Sequence, residues 1–475
     1  MTLAIYWHRN DLRIHDNECL QIASAEYEQM IAVYIIDAAQ YRMLSYGFRK
    51  TGLIRHQYLV DTLKVLREQY QTLGSNLLIR FGNPATVIAD LVGKYKAEIV
   101  ITQEEIASEE QLQDDLVEKA IAPHNATLRK VWGKSLYHKD DIPYTQSKIP
   151  LTSKAFRVNT TKATEPRALI ENPTKIQSPD IKDWGDFPTK KEIGFTKEEI
   201  EQTSCTLYEG GEVEALQRLQ YYTFDKQLLT AYKWTRNKSL GMDYSSKLSP
   251  YLALGSLSPR MIYHTVKKYE KEIKRNISTW WLIFEVVWRD FFIFKSWRIG
   301  SKMFYKKGIK NKDVEWSYNM DFFHRWKDGQ TGIPFLDAHL LELKNTGFMS
   351  NRGRVNAASF FTRDYQLDWR MGAAWFEHSL IDYDVYANWM NWHTQAFDIY
   401  YTNPVHQSLK YDKNGDYILH WFPQLKSLPH KDYHAPWIHS KKELEKLGIK
   451  NYTPPVEIYS KWNRSIKNIL NYQET

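Results

Sequence analysis

The sequence is poor in cysteine, with only Cys19 and Cys205 among 475 residues. Two cysteines exclude a four-cysteine iron–sulfur cluster or zinc site and allow at most one disulfide, which fits a reducing compartment. No stretch reaches the roughly 18 uninterrupted apolar residues typical of a membrane-spanning helix. The opening MTLAIYWHRNDLR has no basic segment followed by an apolar one, so we expect no signal peptide. These absences predict a cytoplasmic protein that does not enter a membrane.

Common nucleotide and metal motifs are also missing. The chain contains no GxGxxG, which excludes a dinucleotide fingerprint in its N-terminal part. The tripeptide at 133–135 matches only the end of a phosphate-binding loop, because Leu128 stands where that loop has its first glycine. His430 and His434 are four residues apart but lie in a proline-bounded loop without an adjacent glutamate. We therefore predict no metal site.

Positive charge and tryptophan, by contrast, are abundant. The net charge is +8 and the isoelectric point is about 9.0, so the partner could be a polyanion, or the surface could be basic without one. Of 17 tryptophans, 14 follow residue 200. Large aromatic residues usually fill cores, but such crowding is also typical of rings that stack on a cofactor or on bases, or that transfer electrons.

The length predicts more than one domain. Short apolar runs such as LAIYWH, MIAVYIID and AEIVITQ alternate with helical stretches over residues 1–138, which predicts an α/β domain with a parallel, Rossmann-like sheet. Residues 139–204 are rich in proline and lack periodicity, which predicts a linker. Helical patterns dominate residues 205–475, so we expect a mostly α-helical C-terminal domain.

Four segments of the helical half carry a resemblance to a known family, DYSSKLSPYLALGSLSPR, FEVVWRDFF, MSNRGRVNAASFF and IDYDVYANWMNW, and YWHRNDLRIHDN extends it into the N-terminal part. Longer matches are TGFMSNRGR, LDWRMGAAWFE and LIDYDVYANW. They resemble DNA photolyases and cryptochromes, and their wording is most similar to the subgroup called cryptochrome DASH. The resemblance covers nearly the whole chain. It implies an N-terminal antenna domain, a helical FAD-binding domain and chemistry driven by blue light.

The resemblance implies a set of FAD contacts, beginning in the segment DYSSKLSPYLALGSLSPR. Serines beside a lysine before a helix supply phosphate donors, although an ordinary capped helix start has the same composition. In the family this segment holds the FAD pyrophosphate, Arg354 pairs with Asp382, and Asn388 lies opposite flavin N5. The implied cofactor residues are Tyr232, Ser245, Ser246, Lys247, Leu248, Ser249, Glu285, Arg289, Asn351, Arg354, Asp382, Asp384 and Asn388.

The resemblance also implies DNA-contacting and electron-transfer residues. Glu285 and Trp288 share a helix face in FEVVWRDFF, where a surface ion pair with Arg289 is the simpler explanation. By family likeness Glu285 meets the lesion and Trp288 stacks on its bases. The remaining DNA contacts would be Asn351 and Arg352, and the residues with catalytic or electron-transfer roles would be Glu285, Asn388, Trp392, Trp369 and Trp316.

The sequence departs from the family at two positions near the predicted lesion pocket. Val355 replaces a methionine or glutamine, and Thr394 replaces an aromatic residue at the start of a stretch about seven residues shorter than usual. An acidic antenna ligand is matched best by Glu109, where surface charge is the alternative. The second chromophore is therefore either 5,10-methenyltetrahydrofolate or none.

Two functions compete on this evidence. The first is a deoxyribodipyrimidine photo-lyase, which uses light and reduced FAD to split cyclobutane pyrimidine dimers in single-stranded or looped DNA. The second is a DASH-like blue-light photoreceptor with little or no repair activity. A flavoprotein that binds nucleic acid without either activity is a third alternative. We expect a monomer in each case.

Overall fold

The computed structural model describes residues 2–202, 208–429 and 431–471. Cys205, His430 and the predicted boundary between residues 204 and 205 lie outside these ranges. Within them, the strands form a five-stranded parallel sheet in the order β3-β2-β1-β4-β5. The strands are β1 (Leu3–His8), β2 (Gln29–Asp37), β3 (Leu77–Gly82), β4 (Ile99–Gln103) and β5 (Thr127–Val131).

Burial on both faces explains why the strands are continuous apolar runs. Every residue of β1 is buried, and its side chains alternate between two hydrophobic clusters. Ala4 and Tyr6 belong to one cluster, whereas Ile5 and Trp7 belong to the other. The helices between the strands are α1 (Glu18–Ala25), α2 (Leu53–Thr72), α3 (Pro84–Tyr95) and α4 (Ser108–Ile121).

The segment predicted as a linker has secondary structure and buried side chains. Ile176 and Phe195 pack into the cluster that contains Tyr6, and Ile181 packs into the cluster that contains Trp7. The segment therefore covers part of both faces of the sheet. Its helices are α5 (Ser153–Ala163), α6 (Lys190–Ile193) and α7 (Lys197–Gln202).

The rest of the chain is mostly helical, which confirms the predicted fold class. Helix α12 (Ile277–Ile299) illustrates how the sequence sets the helix ends, because Asn276 and Thr279 form reciprocal capping hydrogen bonds at its start. The helices are α8 (Glu212–Gln220), α9 (Tyr232–Thr235), α10 (Ser249–Leu254), α11 (Pro259–Glu272), α12 (Ile277–Ile299), α13 (Met320–Lys327), α14 (Pro334–Thr346), α15 (Asn351–Arg363), α16 (Trp369–Ser379), α17 (Val385–Phe397), α18 (Pro404–Tyr411), α19 (Asp416–Trp421), α20 (Lys441–Lys446) and α21 (Asn463–Leu470).

The chain forms two compact units that do not follow the linear order of the sequence. The first unit contains the sheet and consists of Met1–Lys233, Ser246–Met303 and Ile381–Ala387. The second consists of Trp234–Ser245, Phe304–Leu380 and Asn388–Thr475. The domain limits drawn from the sequence stay a prediction. Among the described helices, none is both long enough and apolar enough to cross a membrane.

Candidate functional site

The predicted phosphate-binding segment lies mostly in the first unit, which contains it from Ser246 onward, at the start of α10. Lys247 has a positive φ of 57°, a conformation that non-glycine residues seldom adopt. The hydroxyl of Ser249 donates to Oδ2 of Asp382 over 2.7 Å. Two predicted cofactor residues far apart in sequence therefore meet here. Four more predicted cofactor residues of the first unit are buried: Tyr232, Ser246, Lys247 and Leu248.

Three predicted residues lie on one face of α12, as their spacing requires. Glu285, Trp288 and Arg289 are all partly exposed. Nε1 of Trp281, one turn earlier, donates to Oε1 of Glu285 over 3.0 Å. This hydrogen bond orients the carboxylate that the family resemblance assigns to the lesion.

Arg289 pairs with Asp384 rather than with Glu285 on its own helix. Nη2 of Arg289 lies 3.1 Å from Oδ2 of Asp384, and Nη1 donates to the carbonyl of Lys134 over 2.7 Å. The other oxygen of Asp384 accepts the backbone N–H groups of Tyr386 and Ala387, each over 3.0 Å. Burial acts to raise the pKa of Asp384, but the nearby Arg289 and Lys134 and these N–H groups lower it overall. Asp384 therefore stays ionised and caps the start of α17.

A buried network that the sequence reasoning missed adjoins this pair. Nζ of Lys134 lies 2.9 and 3.0 Å from the two carboxylate oxygens of Glu105. The hydroxyl of Tyr386 donates to Glu105 over 2.7 Å and accepts the N–H of Ile106 over 2.9 Å. The network ties residues 381–387 to the carboxyl ends of β4 and β5. The sequence signal for this network is Lys134 just after a strand, within the tripeptide that matches the end of a phosphate-binding loop.

Two predicted DNA contacts lie at the start of α15 in the second unit. Asn351 is exposed. The Arg352 guanidinium donates to Asn237 over 3.1 Å and to Gln407 over 3.3 Å, and it stacks 4.0 Å above the Tyr411 ring. Within the described ranges its partners are amide oxygens and an aromatic ring, so its charge is not neutralised by a carboxylate. Such a guanidinium suits an anionic ligand.

Two more predicted cofactor residues of the second unit are held by backbone carbonyls. Nε of Arg354 donates to the carbonyl of Met349 over 2.8 Å. Asn388 is buried, and one N–H of its amide is donated to the carbonyl of Ala373 over 3.0 Å, which leaves its second N–H for a ligand. Ser245 is partly exposed in this unit. The pairing of Arg354 with Asp382 stays a prediction.

Trp392 occupies a tight aromatic pocket in the second unit. Its ring centroid lies 5.1 Å from that of Phe376, 5.5 Å from Phe361 and 6.1 Å from Trp326. Gly372 makes room for the ring, because a Cβ at that position would lie 2.2 Å from Cη2 of Trp392. The indole Nε1 is buried and has no hydrogen-bond partner among the described residues.

The other two predicted electron-transfer tryptophans share one hydrogen-bond acceptor. Nε1 of Trp369 and Nε1 of Trp316 each donate to the carbonyl of Lys306 over 3.3 Å. Both rings also contact Phe397, with centroid distances of 6.1 and 6.0 Å. Trp369 is fully buried and Trp316 is 9% exposed. The pair therefore leads from the core to the surface of this unit.

The remaining predicted positions have ordinary surroundings. Val355 and Thr394 are partly exposed, and the Thr394 hydroxyl donates to the carbonyl of its own helix four residues earlier. Glu109, in the first turn of α4, pairs with Lys50 and, over 2.9 Å, with Arg42. Burial acts to raise the Glu109 pKa, but Lys50 and Arg42 lower it overall. In the described part of the chain no cluster of His, Cys, Asp and Glu side chains is arranged to hold a metal ion.

Each of the two units, taken by itself, carries donors whose chemistry suits part of a flavin nucleotide. The first unit supplies hydroxyls and a buried lysine at a helix start, which suit a pyrophosphate. The donors of the second unit are the Asn388 amide and the buried Trp392 indole N–H, which has no partner among the described residues. These donors suit the polar edge of a flavin ring beside an aromatic wall.

Comparisons with known proteins identify the family. The family described as "FAD binding domain of DNA photolyase" matches residues 281–470, and the family described as "DNA photolyase" matches residues 4–175. The cryptochrome DASH of Danio rerio is 39% identical over 97% of this chain and 91% of its own length.

Solved structures agree with the sequence comparisons. The crystal structure of a Synechocystis cryptochrome matches with a TM-score of 0.91 and 37% identity, over 99% of each chain. A class III photolyase from Agrobacterium tumefaciens matches with a TM-score of 0.84 and 25% identity, over 100% of this chain and 98% of the other. The predicted resemblance and the predicted FAD cofactor are thus confirmed. The chain belongs to the DNA photolyase and cryptochrome family, as an FAD flavoprotein related to the cryptochromes called DASH.

Proposed function

We propose that the protein is a deoxyribodipyrimidine photo-lyase, which repairs cyclobutane pyrimidine dimers in single-stranded or looped DNA when illuminated. The observation that carries this proposal is the arrangement of α12. Glu285 and Trp288 share a partly exposed face, and Trp281 orients the Glu285 carboxylate. A base-stacking ring beside a fixed acid is what a flipped-out dimer requires.

The proposed roles of the side chains follow from their chemistry. Bound FAD would supply the absorption of blue light and the electron that opens the dimer. Glu285 would hydrogen-bond to a pyrimidine and assist proton transfer to it as negative charge develops on the ring. Trp288 would stack on a dimer base, and Arg352 would bind a backbone phosphate. Asn388 would hold its neutral amide at the flavin edge without adding charge.

We propose that the three tryptophans keep the cofactor supplied with electrons. Trp316 lies next to solvent and Trp369 is buried beside it. Trp392 packs on Gly372, which lies one helical turn from Trp369 on α16. The three indoles would carry an electron inward from the surface of the second unit.

Repair of a defined substrate tests the proposal. The purified, reduced protein is irradiated with oligothymidine that contains one cyclobutane dimer, either single-stranded or in a duplex. We expect repair of the single strand, and loss of most of it in Glu285→Ala, because general acid assistance is typically worth about 10² to 10⁴ in rate. Glu445→Ala, which removes an exposed carboxylate from α20, should repair normally. Dimer left unchanged in both substrates would refute the proposal.

A blue-light photoreceptor is the second candidate, and the shortened stretch after α17 favours it. Tyr400 is 95% exposed and Ile399 is 41% exposed, so this stretch presents apolar surface that a partner protein could cover. The two functions are separated by one pair of assays. No repair together with light-dependent binding of a partner would favour the receptor, whereas repair that depends on Glu285 would favour the enzyme.

We also propose that the protein is a cytoplasmic monomer, and that Glu109 is the ligand if a folate antenna is present. Its carboxylate is half-exposed and already ion-paired with Lys50 and Arg42, so a folate would have to share or displace these cations. Folate released from denatured wild-type protein, and absent from Glu109→Gln, would support the antenna. Sedimentation tests the monomer.

A further inference from the structure

Arg157 in the predicted linker has surroundings unlike those of an ordinary surface arginine. It lies on α5, and its guanidinium carbon is 3.9 Å above the Phe284 ring and 5.1 Å from the Trp288 ring. Its Nε is buried without a hydrogen-bond partner in the described part of the chain. The described residues form no ion pair with Arg157, but the Glu285 carboxylate on α12 is close enough to favour the charged form of its guanidinium. The side chain is thus held by aromatic faces, with no carboxylate of the described residues at ion-pair distance.

The rings under Arg157 belong to a row that runs along α12. Trp280, Phe284 and Trp288 are spaced four residues apart, with centroid distances of 5.0 and 5.7 Å between neighbours. Trp280, at the start of the row, is 50% exposed, and Phe284 and Trp288 are partly exposed. Exposing a row of large aromatic rings to water is energetically unfavourable unless a ligand covers the row. Unpaired bases are ligands that stack on such rings irrespective of sequence.

The surface next to the aromatic row is positively charged, as binding to a nucleic acid requires. Residues 267–275 lead directly into α12 and contain five cations, Lys267, Lys268, Lys271, Lys274 and Arg275, against two carboxylates. All five cations are exposed. Together with Arg157 they place positive charge at the start and in the middle of the aromatic row, which is typical of surfaces that bind single strands.

We propose that Arg157 and the row Trp280–Phe284–Trp288 bind the single-stranded DNA that flanks the lesion, with Arg157 as the ligand of a backbone phosphate. This inference rests on the proposed DNA substrate but extends it from the lesion to the adjoining strand. The Trp288 end of the row receives the lesion, and the Trp280 end receives the neighbouring undamaged bases. Helix α5, drawn from the presumed linker, thereby becomes part of the DNA-binding surface.

The test uses undamaged DNA in the dark, so it does not depend on repair. Anisotropy of fluorescein-labelled oligothymidylate is measured with the FAD-loaded protein over a series of salt concentrations. In Arg157→Ala we expect affinity to fall about 5- to 20-fold and the slope of log K against log salt to weaken by about 0.7, the value for one phosphate contact on a single strand. Lys162→Ala, which removes an exposed cation from the same helix, should change affinity less than about twofold.

Two further variants separate charge from stacking. Arg157→Lys should keep the salt slope but recover only part of the affinity, because an ammonium lacks the planar face that stacks on Phe284. Trp280→Ala should lose about 3- to 10-fold in affinity with an unchanged slope. Normal flavin absorption and melting temperature would show that each variant is folded.

The outcomes distinguish this inference from the proposed function. It is overturned if the wild type does not bind oligothymidylate, if Arg157→Ala binds like Lys162→Ala, or if only oligouridylate binding depends on Arg157. If the wild type repairs dimers but Arg157→Ala binds oligothymidylate normally, the flanking-strand surface is refuted and the proposed photo-lyase activity is not. Binding that depends on Arg157 in a protein that repairs no dimer supports the surface and refutes the photo-lyase.

Discussion

Replacing Gly372 by alanine has two opposing effects on the free energy of unfolding. Gly372 lies inside α16, where alanine is normally favoured over glycine by roughly 0.5–1 kcal/mol. The new Cβ, however, would lie 2.2 Å from Cη2 of Trp392. Carbon atoms in contact are normally about 3.5 Å apart, so the ring has to move by about 1.3 Å.

The pocket leaves Trp392 little space for this movement. Phe376 and Phe361 pack edge-on against its ring, at centroid distances of 5.1 and 5.5 Å, and the ring is 2% exposed. Overpacking of a filled core typically costs about 1–3 kcal/mol. We therefore expect Gly372→Ala to lower the free energy of unfolding by about 1–2 kcal/mol after the gain in helix propensity.

The same displacement should disturb electron transfer, so two measurements check the reasoning. Urea unfolding gives the stability change, and the rate at which blue light reduces the bound flavin gives the effect on Trp392. Gly133→Ala is the matched control, because its Cβ would meet only the side chain of Gln103, at an ordinary 3.8 Å. A Gly372→Ala protein that is more stable than the wild type and photoreduces at the same rate would refute the argument.

Three further predictions concern buried side chains. Trp369→Phe should abolish most flavin photoreduction, because phenylalanine is not readily oxidised, while Trp326→Phe, which alters another ring beside Trp392, should keep it. Burial raises the Asp290 pKa to about 7, so the native state holds a proton that the unfolded state has already released above about pH 4. The free energy of unfolding should therefore fall as pH rises from about 4 to about 7, by about 2 kcal/mol between pH 5 and 7. The urea midpoint should depend less on pH in Asp290→Asn than in the wild type. Asp384→Asn leaves the largely buried Arg289 without its carboxylate and should cost about 3–5 kcal/mol in urea unfolding, against less than about 1 kcal/mol for Glu26→Gln in its exposed ion pair with Arg129.

The fold could be predicted because its signals are local. The run LAIYWH reads as a strand buried on both faces, and β1 spans Leu3–His8 with every side chain buried. The pattern of the proline-rich residues 139–204 did not predict the burial of Ile176, Ile181 and Phe195, because these are isolated apolar residues without periodicity. Their burial depends on the sheet surface that they meet, and no local pattern encodes that surface.

The candidate site could be predicted from the sequence only in part, for the same reason. The i, i+4 spacing of Glu285 and Arg289 predicts a pair on α12, but Arg289 instead pairs with Asp384, 95 residues later. Nothing in the local sequence marks Glu105 and Lys134 as partners, yet the parallel sheet brings the ends of their strands together and buries both. Such partnerships are fixed by topology, so they become visible only once the strand order is known.

The carbonyl of Lys306, which accepts the N–H groups of both Trp369 and Trp316, bears on how charge moves through the second unit. An amide oxygen accepts a hydrogen bond but is far too weak a base to take a proton at neutral pH. An oxidised indole at either position would therefore keep its proton and remain a cation. In the proposed electron transfer, the two tryptophans would therefore carry positive charge without losing a proton, so the transfer rate between them should not depend on pH.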